Sequence, residues 1–187
     1  MQRRKLLKCV LPLMLAATAG LTAQPALAES VSGLEARARS ALTQLTTEVP
    51  AARELARDAR AILVFPRITR VGLVFGGQHG EGVLFRNGHA SDYYYSILGG
   101  SWGLQAGAQQ FGYALFLMTD EAVDSLGSAS GLEIGVGPTV VVVDRGAAAT
   151  LTTTTTRSDI YAFAFSQRGL MAGVGLQGNR IAKVPRR

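Results

Sequence analysis

The stretch "GLVFGGQHGEGVLF", residues Gly72–Phe85, places five glycines in fourteen residues. A phosphate-cradling loop of the G-x-x-x-x-G-K-[ST] type would need a lysine that "GGQHGEG" lacks, and the "VLFRNG" that follows reads as strand and turn, where such a loop opens a helix. A membrane helix would need a long apolar run, and Gln78, His79, Glu81 and Arg86 interrupt it. Folded sheet remains. On a strand, Gly72, Val74, Gly76, Gln78 and Gly80 share one face, and Leu73 and Phe75 share the other.

The opening unit G-L-x-x-G spans Gly72–Gly76 and recurs at Gly103–Gly107, Gly131–Gly135 and Gly169–Gly173. Period two gives each copy an apolar face and a nearly bare face: Trp102, Leu104 and Ala106 oppose Gly103 and Gly107, and Leu132, Ile134 and Val136 oppose Gly131 and Gly135. Leu170, Ala172, Val174 and Leu176 likewise oppose Gly169 and Gly173. Glycine weakens a strand, so a repeated glycine face implies sharp bending or the close approach of another backbone or helix.

Around these strands the pattern is antiparallel β with helices, an α+β domain. Leu34, Ala38, Ala41, Leu42, Leu45 and Val49 fall on one face of a helix over Ser30–Val49. Pro50 suits an early position of a second helix, "AARELARDARAI", whose Arg53, Arg57 and Arg60 form one stripe. One internal helix starts at the N-cap Thr119, with Asp120 and Glu121 in its first turn, and stops at Gly127. "LTTTTTRSD" reads as a β segment.

Residues 1–28 read as a cleaved signal peptide: a basic "MQRRKLLK", an apolar run and an A-x-A site, Ala26-Leu27-Ala28. The rival is an uncleaved anchor. Arg3 and Arg4 before Leu6-Leu7-Lys8 resemble a twin-arginine signal, leaving that route and general secretion both open; either delivers the protein to the periplasm or beyond. Residues 1–28 hold four of the nineteen basic residues and none of the thirteen acids, so the mature chain carries a net +2. A nucleic-acid partner loses its support with that charge. Cys9, the only cysteine, also lies in the leader, which excludes disulfides, a thiol nucleophile and cysteine metal ligands from the mature chain, and it sits too early for a lipobox. What remains, 29–187, has the length of one domain.

His79, His89, Glu81 and Asp92 do not have the spacing of a metal site. No G-x-S-x-G elbow supports a Ser-His-Asp hydrolase, and Asp120 and Glu121 are helix-start charges. The pattern argues for no catalytic residue, no metal and no cofactor. Arg53, Arg57, Arg60, Arg67 and Arg70, accompanied by two acids, make a basic cluster, and Arg180, Lys183, Arg186 and Arg187 a basic tail. Such charges attract anionic headgroups by about 1 kcal/mol each near a surface, although a solvated helix face with Arg–Glu pairs explains them too.

"ARAILVFPRITRVGLVFGGQHGEGVLF" resembles the start of the SYLF lipid-binding domain, "YYYSILGGSWGLQAGAQQFGYALFLMTDEAVDSL" its central block, and "SDIYAFAFSQRGLMAGVGLQGNRI" its final block. The resemblance runs from about Ala51 to Val184. It implies a β-rich domain with helices that binds phospholipid, with phosphoinositides as ligands and actin as a partner in some eukaryotic members. A bacterial exported protein meets neither, so general anionic phospholipid is the ligand implied here. The family's N-terminal amphipathic helix corresponds by position to Leu34–Leu45, with Arg37 and Arg39 on its polar face.

The expectation is therefore a signal peptide over 1–28, an amphipathic helix over 29–50 and a SYLF-like domain over 51–187. An exported, non-enzymatic protein would meet anionic membrane through Arg37, Arg39, Arg53, Arg57, Arg60, Arg67 and Arg70 and the apolar helix face. The alternative is a structural or protein-interaction module of the envelope, with an envelope protein as partner.

Overall fold

Pro50 decides where the N-terminal helices part. A proline disfavours helical geometry at the residue before it, and Val49 is extended, with φ −119° and ψ 104°. Helix α1 (Val31–Glu48) therefore ends, and α2 (Pro50–Asp58) starts on the proline, whose missing N–H costs nothing in a first turn. The computed structural model describes residues 31–73, 75–128, 132–133, 139–143 and 158–185. The expected leader, Gly131, Gly135 and the threonine run lie outside the described residues.

Strands β1 (Ala61–Gly72), β2 (Phe75–Arg86) and β3 (His89–Leu117) follow, then α3 (Asp120–Ser125), β4 (Leu132–Glu133), β5 (Val140–Val143) and β6 (Ile160–Pro185). The β2–β3 turn is Asn87-Gly88, with φ of 51° and 78°, the left-handed pair a two-residue hairpin demands. Helix α3 is capped as its sequence implies: the Thr119 hydroxyl accepts the Ala122 N–H at 3.2 Å.

Among the described residues the strands form one six-stranded sheet, antiparallel except at β5, which runs parallel to β6. The expected antiparallel, β-rich architecture is the one that forms, with β5 its single parallel addition among the described residues. The cause of that parallel pairing is local. The N–H and hydroxyl of Thr139 donate to an Asp159 carboxylate oxygen at 3.0 and 2.8 Å, and the Ile160 N–H donates to the Thr139 carbonyl at 3.0 Å. These bonds fix the two strand starts side by side, and they hold the Asp159 carboxyl below its ordinary range.

β3 organises the sheet. Its first half pairs with β2, from Arg86↔His89 to Phe75↔Trp102, and its second half with β1, from Gly72↔Gly107 to Ala61↔Leu117. Because β1 and β2 also pair with each other, β3 passes round the end of their hairpin. β6 follows its other edge, from Leu117↔Ile160 to Tyr93↔Pro185. The sheet therefore folds over itself.

Alternation then sorts the core. Leu63, Phe65, Ile68, Ile97, Tyr113, Leu115, Ile160 and Ile181 face inward, closed by Ala122 and Leu126 at α3. Ile62, Val64, Val83, Phe85, Phe116 and Phe163 face outward and are covered by Leu34, Ala38 and Leu45 of α1 and Ala52 of α2. The α1 face expected to dip into a membrane is thus buried against the sheet, and shallow insertion through it is corrected. An amphipathic stripe serves a protein core or a bilayer equally well, and here the core takes it.

The close approaches fall partly at glycines outside the repeated unit. A Cβ at Gly82 would come within 2.6 Å of the Phe65 ring, and one at Gly80 within 2.8 Å of Ile68. Within the unit, Gly107 and Gly169 have φ of 139° and 93°, and a Cβ at Gly169 would lie 2.5 Å from the Ala108 carbonyl oxygen.

Burial pushes the Tyr113 phenol up to about 12. An unfolded tyrosine titrates near 10. Above that pH the unfolded chain loses a proton that the folded chain keeps, so the contribution is intact below about pH 10 and is lost as pH rises towards 12. Urea unfolding is expected to show a loss of about 2–3 kcal/mol across that window, and Tyr113→Phe to remove most of it. An unchanged pH profile in the variant would refute the assignment.

Candidate functional site

Helices α1 and α2 bury the outer face as far as Val64 of β1 and Val83 of β2, and α1 overhangs a recess at Pro66 and Arg67. Beyond them the face continues uncovered towards the β1–β2 turn. Val71, Leu73 and Phe75 are 53%, 75% and 78% exposed there, and Leu98 on β3 is 57% exposed. Leu73 and Phe75 were expected to share an apolar face; the structure places both in solvent, outside the set of outer-face residues that α1 and α2 bury. Gly77 pairs with Gly100, and a Cβ added at Gly100 would meet nothing within 4 Å. With no side chains to fill it, the surface beside the turn is a shallow recess of about 620 Å³ lined by Val71, Gly72, Leu73, Phe75, Gly76, Gly77 and Gly107. An exposed aliphatic and aromatic tip of this kind is the candidate interaction surface.

Beneath the tip the interior turns polar. The Arg70 guanidinium donates to Gln78 at 2.8 Å and lies 5.0 Å over the Phe111 ring, and the Gln78 amide donates to Asn179 at 2.6 Å. This chain ties β1, β2 and β6 together behind the exposed apolar residues. Burial holds the Arg70 guanidinium below its usual range.

The seven arginines expected to bind lipid do not form one surface. Arg39 bonds Glu35 and the Gly88 carbonyl, both at 2.9 Å, and sits 5.0 Å over Phe85. Arg53 donates to the Thr46 and Thr47 carbonyls at 2.9 and 3.0 Å, capping the end of α1. Arg57 pairs with Glu54 at 2.7 Å. Arg60 is not on α2, which ends at Asp58; its backbone N–H donates to Leu117 at 2.8 Å as β1 begins. The expected stripe of Arg53, Arg57 and Arg60 is therefore broken. Only Arg37 and Arg67 converge, at a second recess shared with Arg168. Arg168 and Val71 escaped the sequence reading; for Val71 the signal was its position just before the turn glycine.

Residues 98–185 match the family model Ysc84, described as Las17-binding protein actin regulator. The match is to the SYLF family that the sequence resembles, over somewhat less than half of the chain. The matched span takes in β3 from Leu98 onward, α3, β4, β5 and β6. It covers the central block of the resemblance from Leu98 onward and the whole final block, and leaves out the first. The Ysc84 segment thus supplies the long strands that pass round the tip, while Val71, Leu73 and Phe75 come from the hairpin before it. Ysc84 is a family of binding domains. A search of the curated proteins found no match. Among the described residues no helix is long and apolar enough to cross a membrane.

Proposed function

We propose that this protein is an exported, non-enzymatic phospholipid-binding module that rests its β1–β2 tip on anionic membrane of the cell envelope. The observation that carries the proposal is the exposure of Leu73 and Phe75 at the end of a glycine-flanked hairpin. Apolar residues of that size gain about 1.5–3 kcal/mol each when they leave water completely, a gain that soluble surroundings leave unused. Export rests on the basic, apolar and A-x-A order of residues 1–28. The Ysc84 description names a binding protein, which supports association over catalysis.

The test is sedimentation of the purified protein with phosphatidylglycerol and phosphatidylcholine vesicles at low and at high salt. Stronger binding to the anionic vesicles, weakened by salt, is expected because basic residues near the surface add attraction that ions screen. Equal binding to both compositions at low salt would remove the anionic reading. Capture of an envelope protein with no response to vesicles would favour the protein-interaction module, which the family's printed description also suits.

A further inference from the structure

Two β-bulges flank one point of β3. On the β1 side, Phe65 pairs with Tyr113 and Ile68 with Phe111, so Pro66 and Arg67 oppose the single residue Gly112. On the β6 side, Gly112 pairs with Phe165 and Gln110 with Arg168, so Ser166 and Gln167 oppose the single residue Phe111. Proline cannot donate to a ladder, which accounts for the first bulge. Ser166 has φ 52°, a left-handed conformation costly for a residue other than glycine, at the second. Bulges re-aim side chains, and strained backbone concentrates at sites that use it.

What the bulges share is a recess of about 430 Å³ roofed by α1. Arg37 comes from the helix, Arg67 from the first bulge and Arg168 from the strand just after the second, joined by Ser40, Gln110 and Ser166. No carboxylate is among the described lining residues. Three cations from three separate elements line one concavity, and the Arg37 guanidinium is pushed below its ordinary range by burial first and by the charge of Arg67 second. The charges of Arg37 and Arg67 disfavour each other, and a bound anion would favour both. Guanidinium groups match the oxygens of phosphate in bidentate fashion.

We propose that this recess binds a phosphate monoester, its dianionic oxygens held by Arg37, Arg67 and Arg168. The space exceeds what bare phosphate fills, and Phe111 and Phe165 offer apolar wall to the organic part of an ester. The proposal is independent of the tip meeting a bilayer. The chain from Arg67 to Leu73 covers roughly 20 Å at the rise of an extended strand. The phosphate can belong to a soluble ester or to a lipid headgroup, and the experiment separates them.

The measurement is calorimetric titration of the purified protein with glycerol 3-phosphate, paired with flotation on phosphatidate vesicles with and without the soluble ester. One-site binding is expected, with at least a tenfold rise in Kd for Arg67→Gln and for Arg168→Gln. Both residues are exposed, so melting temperatures should stay put; Arg67→Lys, which keeps the charge and loses the fork, should fall between. Displacement from phosphatidate by the ester identifies the headgroup as the source; soluble binding that leaves flotation unchanged identifies a free ester. Absence of binding to either probe, or affinities unchanged by both glutamine variants, overturns the proposal. Loss of phosphatidylglycerol binding with this recess intact would sink only the membrane reading.

Discussion

Replacing Leu73 and Phe75 together by aspartate is expected to lower affinity for phosphatidylglycerol vesicles at least tenfold, with no change in melting temperature. The two side chains are 75% and 78% exposed, so folding gains little from them. Tenfold corresponds to about 1.4 kcal/mol, less than complete transfer of even one such side chain would supply. The two new carboxylates add repulsion from the anionic surface. Leu73→Ser with Phe75→Ser separates the two contributions: it removes apolar area without charge and should retain part of the loss. Unaltered binding in both doubles would show that the tip does not touch lipid.

Gly82→Ala should destabilise the protein by about 3 kcal/mol, at the upper end of the cost of overpacking a core. The added Cβ would stand 2.6, 2.8 and 2.9 Å from three atoms of the Phe65 ring. Phe65 is fully buried, so the ring has no solvent to swing into. The partner substitution makes the test specific. Phe65→Leu alone leaves a void and loses stability, but in combination with Gly82→Ala it should cost less than the sum of the two, because one change makes room for the other. Additive losses in urea unfolding would place the strain elsewhere.

Features set by neighbours in the chain were legible before the structure. The parting of two helices at Pro50, the cap at Thr119 and the Asn87-Gly88 turn each follow from the chemistry of two or three adjacent residues. The β-rich fold with its helices was legible for the same reason. What period two could not supply was which apolar face is covered. Leu73 and Phe75 sit on the same outer face as Phe85, yet of the three only Phe85 is among the residues that the helices bury. The arginines were harder still. Arg53 looks like a member of a helix stripe, yet it turns back to the Thr46 and Thr47 carbonyls of α1. The recess around Arg37, Arg67 and Arg168 depends on two bulges and on residues far apart in the chain, and no local pattern marks a bulge at a serine such as Ser166.

The path of β3 around its hairpin also sets an order of assembly. β1, β2 and β3 are consecutive and can zip together as a meander while the polypeptide is still emerging. Their long outer edge then waits for β6, whose first rung joins Leu117 to Ile160 across α3, β4 and β5, and whose final rung joins Tyr93 to Pro185, nearly half the chain away. Non-local pairing of that kind is slow, and an unfinished edge of this length is a template for unwanted strand addition. The interval between the meander and the docking of β6 is when a nascent chain most needs a chaperone.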